Sequence, residues 1–322
     1  MTAPVLTGDR TGTLPTVSVV IAAFSSERWE WLREAVDSVA AQASPALETI
    51  VVIDHNPDLL TRASQEFGDV VIPNAGARGA SGARNTGVAQ SRGEVVAFLD
   101  DDAAATRGWL GQLRAHFADP GVVGVGGRLD PLWATARPRW FPSEFGWTIG
   151  VSYTGMPERT ARVRNVWASN MAVRRAAFAA AGGFREDFGK VGTVSRPEDT
   201  DLCMRVTDGA WLYDPACSVS HRVPAQRTRF RYFLVRCYNE GRGKAGLAAL
   251  NGAETSTSEE RGYATRVLPR AILRSLGEAL RGDAAGVLRG AAIIAGLGVT
   301  MAGFAVGGAV STLFRSANSG TP

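Results

Sequence analysis

Short β-branched runs alternating with helical stretches limit most tightly what this chain can fold into. Residues 17–23 and 49–53 are short β-branched-rich runs of the kind found in strands covered on both faces, and residues 69–72 and 94–99 give two more strands. Between the first two, residues 27–42 place Leu32, Ala35, Val36 and Val39 on one helical stripe. Residues 82–91 and 107–117 supply further helices, the latter stopped by Asp119-Pro120-Gly121. Such alternation needs right-handed crossovers, so the pattern predicts an α/β fold with a Rossmann-like, mainly parallel sheet flanked by helices. Ligands in these sheets sit at the carboxyl ends of strands, where Asp54 and Asp100 fall.

Asp100-Asp101-Asp102 directly follows the fourth run. Carboxylates this close raise one another's pKa. A divalent cation removes that penalty, and the hard ions Mg²⁺ and Mn²⁺ take oxygen ligands and are often shared with substrate phosphates. An acidic surface turn is the alternative. Asp54 can accept hydrogen bonds from a base or ribose edge, although His55-Asn56-Pro57 also suits a helix cap or turn. Gly76, Gly79 and Gly82 lead into Arg84-Asn85 at a helix start, where backbone N–H groups and a guanidinium suit a phosphate. That loop fits neither GxxxxGK[ST] nor GxGxxG. A helix over 174–181 ends at Gly182-Gly183, and another begins near Pro197-Glu198-Asp199-Thr200-Asp201, with Pro and carboxylates in its first turn. Glu186-Asp187 is a second acidic pair.

The order and spacing of these elements resemble the family 2 glycosyltransferases, inverting sugar-nucleotide enzymes of GT-A fold. The matching residues are Val17-Ser18-Val19-Val20-Ile21-Ala22-Ala23-Phe24, Ile50-Val51-Val52-Ile53-Asp54 and Gly82-Ala83-Arg84-Asn85-Thr86-Gly87. They continue through Gly93-Glu94 to Asp102, Gly182-Gly183-Phe184 and Glu198-Asp199-Thr200-Asp201-Leu202. The resemblance covers residues 16–245 and implies a sugar-nucleotide donor held by Ala23, Phe24, Asp54, Arg84, Asn85, Asp100 and Asp101. It implies Asp102 as ligand of a Mn²⁺ or Mg²⁺ ion, with His221 joining it, Asp199 as catalytic base and Glu198 as its partner. Trp167 and Asn170, in Trp167-Ala168-Ser169-Asn170-Met171, match the stretch lining the donor-sugar and acceptor side. Glu186-Asp187 lacks the Thr-Asp-Leu continuation and falls where the family has a solvent-facing loop. The chain departs from the family after Asp54, where Asp-Asp and then Gly-Ser are usual; base selectivity is therefore left open. Gln226-Arg227-Thr228-Arg229-Phe230 is similar to the Gln-x-x-Arg-Trp motif of processive synthases, with Phe for Trp. Arg227 and Arg229 can meet donor or lipid phosphates there. Trp140 and Trp147 suit sugar stacking or the core.

Charge divides the chain: residues 1–221 carry a net −4 and residues 222–322 a net +8. Helical patterns at 229–250 and, basic and amphipathic, at 266–280 flank a polar loop at 252–260. They precede 25 uncharged residues, 290–314, enough to cross a bilayer but rich in Ala and Gly. Spanning, an interfacial hairpin and soluble packing all stay open for this segment. The expected organisation is a flexible arm (1–15) without a secretory signal, a GT-A domain (16–250) and a helical, membrane-associated region (251–322). Three widely spaced cysteines, Cys203, Cys217 and Cys237, argue against a disulfide framework and fit a reducing compartment. The expectation is a metal-dependent transferase at the cytoplasmic face of the cell membrane. It would act on a lipid-linked or glycan acceptor hydroxyl in cell-envelope assembly, with a membrane surface and no nucleic acid as partner. A sugar-nucleotide pyrophosphorylase would carry a basic glycine-rich loop where this chain reads Ala22-Ala23-Phe24-Ser25-Ser26. A non-catalytic nucleotide-sugar-binding protein would lack Asp102 or Asp199, and both are present.

Overall fold

The computed structural model describes residues 14–191, 194–251 and 261–318. The expected arm, up to residue 13, and the polar loop at 252–260 lie outside the described residues. Strands β1 (Val17–Ala23), β2 (Glu48–Ile53), β3 (Val71–Pro73) and β4 (Val95–Asp100) pair in parallel in the order β3-β2-β1-β4. Helices α1 (Trp29–Ala40), α2 (Pro57–Phe67) and α3 (Ala80–Gln90) connect them. Helix α2 goes beyond the sequence reading, in which Asn-Pro served a cap or a turn alike. Asn56 Oδ1 accepts the Leu59 N–H at 3.0 Å and Pro57 occupies the first turn, so the pair starts a helix.

The period-two alternation of the strands sorts the core into two layers. Val19, Ile21, Val51, Ile53 and Leu99 pack with Trp29, Leu32 and Leu59, whereas Val20, Val52, Val96 and Phe98 pack with Ala83 and Val88. Each fully buried Leu or Ile here contributes about 1.5–3 kcal/mol. Helix α3 approaches closely because Gly87 has no side chain: a Cβ would lie 2.4 Å from Val20 Cγ1.

The second half contributes β5 (Ala103–Ala105), α4 (Trp109–His116), β6 (Val122–Trp133), β7 (Ala161–Val163), β8 (Asn170–Arg174) and α5 (Arg175–Ala180). It continues with β9 (Gly189–Val191), β10 (Val194–Arg196), α6 (Glu198–Arg205) and β11 (Ala210–Val223). Beyond β4 the sheet runs β8-β6-β11-β5, with β7 also on β11. Strand β8 is antiparallel to both neighbours, and β5 and β7 are antiparallel to β11. Strand β6 pairs with β11 in parallel, so the longer ladders are parallel and the sheet is mixed through β5, β7 and β8. Both faces of β8 are covered, so Met171, Ala172 and Val173 are buried as in a parallel strand, and burial alone does not encode direction.

Helices α7 (Phe230–Asn251), α8 (Leu268–Leu280) and α9 (Ala285–Asn318) complete the chain, with a π-helical turn, Tyr263–Val267, leading into α8. From Ala285 to Ala309, α9 is long and apolar enough to cross a membrane, with a mean hydropathy of 1.8 and a third of its apolar window buried. Trp140 packs on Phe141, Phe230 and Phe233, and Trp147 on Phe145, so both belong to the core beneath α7. The three cysteines are free and buried.

Candidate active site

Parallel pairing brings the carboxyl ends of β1, β2 and β4 side by side. Ala23 is buried, while Phe24 is 55% exposed at the rim of a cavity of about 530 Å³ lined also by Asp54, His55, Asn56, Pro57 and Arg78. Asp54 Oδ2 accepts the Gly79 N–H at 2.9 Å; its Oδ1 accepts from Asn74 Nδ2 at 2.7 Å and lies 2.8 Å from His55 Nδ1. Asp54 thus fastens the 74–79 loop to the end of β2. The Phe24 ring, with Arg28 Cζ 5.1 Å from its centroid, shares this cavity with Asp54, and an aromatic ring beside a carboxylate suits a nucleoside.

The aspartate triplet lies one strand away. Asp102 Oδ1 is 3.2 Å from His221 Nε2, and Asp102 Oδ2 is 3.3 Å from Arg28 Nη1 and 3.4 Å from Arg227 Nη2. Burial opposes ionisation of Asp102, but the His221 hydrogen bond and the charges of His221, Arg28 and Arg227 outweigh it and hold the carboxyl well below the usual range. Asp101 accepts from Arg28 Nη1 at 2.7 Å. Burial nevertheless pushes it up to about 7 against the Arg28 charge, with Asp102 adding to the rise. Asp100, Asp102 and His221 each bring one donor atom within 4.8 Å of the others. Among the described residues, Asp101 Oδ2 and His221 Nδ1 are buried without hydrogen-bond partners. Two carboxylates and an imidazole with unsatisfied neighbours fit a divalent cation such as Mn²⁺. Arg28 was not singled out from the sequence, since a lone arginine before a helix carries no motif. Arg227 was read only as a phosphate contact.

A buried guanidinium joins this cluster to the second acidic pair. Arg84 Nη2 donates to Asp100 Oδ1 at 2.7 Å and Nη1 to Glu198 Oε1 at 3.1 Å, with its carbon 5.6 Å above the Phe184 ring. Burial alone would lower its pKa, but Asp100 and Glu198 raise it, so it stays charged. Asp199, half-buried at the start of α6, accepts the Thr200 N–H at 2.7 Å. Burial first, and the Glu198 charge second, push its carboxyl up to about 7. The rival pair is occupied elsewhere: Glu186 Oε2 accepts the Ala77 N–H at 3.1 Å, capping the glycine loop. Asp201 is also structural, bonded by Arg205 Nε at 2.8 Å, while Arg205 Nη2 donates to the Gly183 carbonyl at 2.8 Å.

Two residues assigned to ligand contact are engaged within the protein. Asn85 Nδ2 donates to the Phe184 carbonyl at 2.8 Å and its Oδ1 accepts the Phe184 N–H at 2.9 Å, so its amide clamps that loop. Asn170 is fully buried: Oδ1 accepts from Trp109 Nε1 at 2.8 Å, and Nδ2 faces the Arg128 and Cys217 carbonyls at 3.0 and 2.8 Å. A short polar residue at a strand start reads alike whether it ties the sheet or meets a sugar. Asn170→Ala orphans these buried groups at about 1–3 kcal/mol each. The variant is expected to lose about 3 kcal/mol of stability in denaturant titration while its folded fraction keeps donor affinity. Selective loss of donor affinity at unchanged stability would restore a ligand role. Trp167 remains half-buried, its ring 5.9 Å from that of Tyr153.

The sequence profile described as Glycosyl transferase family 2 matches residues 18–182. The chain is 34% identical to the glucosyl-dolichyl phosphate glucuronosyltransferase of Haloferax volcanii, over 71% of this chain and 76% of that one. It is 33% identical to the pre-mycofactocin glycosyltransferase of Mycobacterium tuberculosis over 58% of this chain, but spans only 38% of that relative's length. Among solved structures, the mannosyltransferase PcManGT of Pyrobaculum calidifontis, with GDP-Man and Mn²⁺, superposes with a TM-score of 0.56. That match has 18% identity and covers 91% of this chain and 89% of the other.

Proposed function

The chain belongs to glycosyl transferase family 2, and from that premise we propose that it moves a sugar, with inversion, from a nucleoside-diphosphate sugar to an acceptor hydroxyl in one displacement. The observation that carries this reading is the Arg84 bridge, 2.7 Å from Asp100 and 3.1 Å from Glu198, which fixes the two acidic clusters one guanidinium apart. Phe24 and Asp54 hold the nucleoside, and the donor's diphosphate lies toward the triplet. Asp199 takes the acceptor proton as that oxygen attacks the anomeric carbon, and Glu198, held by Arg84, positions it. A divalent ion held by Asp100, Asp102 and His221 would neutralise charge on the departing diphosphate. Arg84 and Arg28 supply fixed positive charge beside the same group.

The acceptor in this reading is lipid-linked, in cell-envelope or glycan assembly, at the cytoplasmic face of a membrane. The relative named as a glucosyl-dolichyl phosphate glucuronosyltransferase supports the acceptor class. The net +8 of residues 222–322 and the apolar α9 support the location. A thermal-shift panel of nucleoside diphosphates and their sugars, with Mn²⁺, Mg²⁺ or EDTA, tests the donor half. One base class is expected to stabilise the protein, and EDTA to abolish the shift. A folded protein indifferent to every member would overturn the reading.

A further inference from the structure

Helix α9 has two unlike long faces. One is seated by glycines: a Cβ at Gly303 would lie 2.1 Å from the Tyr238 carbonyl oxygen, and one at Gly296 would lie 2.7 Å from both the Phe145 and Phe233 rings. From the other side, a Cβ at Gly241 of α7 would lie 2.0 Å from the Thr300 carbonyl oxygen. On the opposite face Val287, Ala291, Ile294, Gly298, Met301 and Ala305 recur at spacings of three or four and are exposed. This stripe runs about 27 Å at 1.5 Å per residue. Helix α8 packs on α9, where a Cβ at Gly286 would lie 2.1 Å from the Ser275 carbonyl oxygen, and exposes Leu273, at 69%, and Leu280, at 91%, beside the exposed Arg266 and Arg270.

We propose that these faces of α8 and α9 form one docking surface that lies in the headgroup boundary of an anionic bilayer, with α9 along the membrane plane and not across it. Leucines beside arginines on one amphipathic helix face match an acidic lipid surface. Spanning is disfavoured by the neighbour: α7, against which α9 is seated, carries Arg236, Glu240, Arg242 and Lys244. A span would take those charges into hydrocarbon or open the glycine contacts. The surface also adjoins the Trp167 side of the protein. Tyr263, in the turn before α8, has its hydroxyl 2.8 Å from both the Glu144 and Thr154 carbonyl oxygens. Its ring packs 5.3 Å from Tyr153, which lies against Trp167. Docking therefore presents the Trp167 side to a membrane-held acceptor; this orientation rests on the function proposed above, whereas the surface itself does not.

Flotation of the full chain with phosphatidylcholine vesicles, with and without phosphatidylglycerol, tests the surface. The wild type is expected to float with the anionic vesicles and to be extracted by alkaline carbonate. Leu273→Ser with Leu280→Ser is expected to weaken partitioning about tenfold or more. Arg266→Glu with Arg270→Glu is expected to erase the preference for phosphatidylglycerol. Neither pair is expected to change nucleotide binding in the same preparations. Carbonate-resistant insertion, unaltered partitioning of both double variants, or a stable dimer without vesicle binding would each overturn it. Vesicle binding with no nucleotide binding would sink the catalytic reading and leave the surface standing.

Discussion

Asp199→Asn is expected to lower kcat about a thousandfold, within the range of general-base removal, while donor affinity stays within a few-fold. The amide keeps the shape and the hydrogen bond from the Thr200 N–H but cannot take a proton. The wild-type rate carries a second signature. Burial and the Glu198 charge push the Asp199 carboxyl up to about 7, so this base is half protonated near neutrality. Only the ionised form accepts the acceptor's proton; kcat/KM therefore falls as pH drops through about 7 and levels above it. Glu198→Gln removes the neighbouring negative charge and leaves Arg84 less neutralised, and both effects favour ionised Asp199. Its limb is expected to move to lower pH, even as turnover suffers from the loosened geometry. An Asp199→Asn enzyme that loses donor affinity in step with kcat would make this residue a binding group instead. A limb unmoved in Glu198→Gln would break the coupling.

The start of α6 was legible because position in a helix carries chemistry: Pro197 and the carboxylates after it suit a first turn, and Glu198 and Asp199 are found there. The parallel half was legible for a similar reason, since βα alternation leaves few topologies. The mixed half was not. Strand β8 reverses direction after an irregular stretch, and its sequence is what any doubly covered strand would show. Side chains whose partners lie far along the chain were hidden as well. Arg84 was read as a phosphate contact, but it is buried between Asp100 and Glu198, 114 residues away in sequence from the latter. Asn85 and Asn170 had the right residue type and neighbourhood for ligand contact, yet their amides complete the backbone bonding of Phe184, Arg128 and Cys217. The glycines of α9 looked like dilution of a membrane span, and the seat they make for α7 became visible only when the two helices were placed together.

Asp102→Asn is expected to weaken nucleotide-sugar binding about a hundredfold in Mn²⁺ and to leave the residual binding insensitive to EDTA. Asp102 acts in two separable ways. Asp102 is the one carboxylate of the triplet that touches His221, Arg28 and Arg227 at once, at 3.2–3.4 Å, and with Asp100 and His221 it brings three donor atoms within 4.8 Å of one another, which is where a cation would find its ligands. Its loss also removes the partner of those groups in the free protein. Breaking a buried pair costs about 3–5 kcal/mol, and the partly exposed Arg28 and Arg227 place this case at the lower end. Because the native carboxyl is held below its ordinary value, its stabilisation is present above the usual carboxylate range and is lost as pH falls through the depressed value. The stability difference between wild type and variant is therefore expected to shrink in acid, whereas the metal effect is read at neutral pH with both proteins folded. Asp101→Asn supplies the control, since Asp101 bonds Arg28 alone among the charges it meets directly and is not in the Asp100, Asp102 and His221 set. Titration of Mn²⁺ against a fixed donor should show full metal dependence in Asp101→Asn and none in Asp102→Asn. The opposite pattern would move the metal to Asp101, and equal dependence in both would separate binding from the triplet altogether.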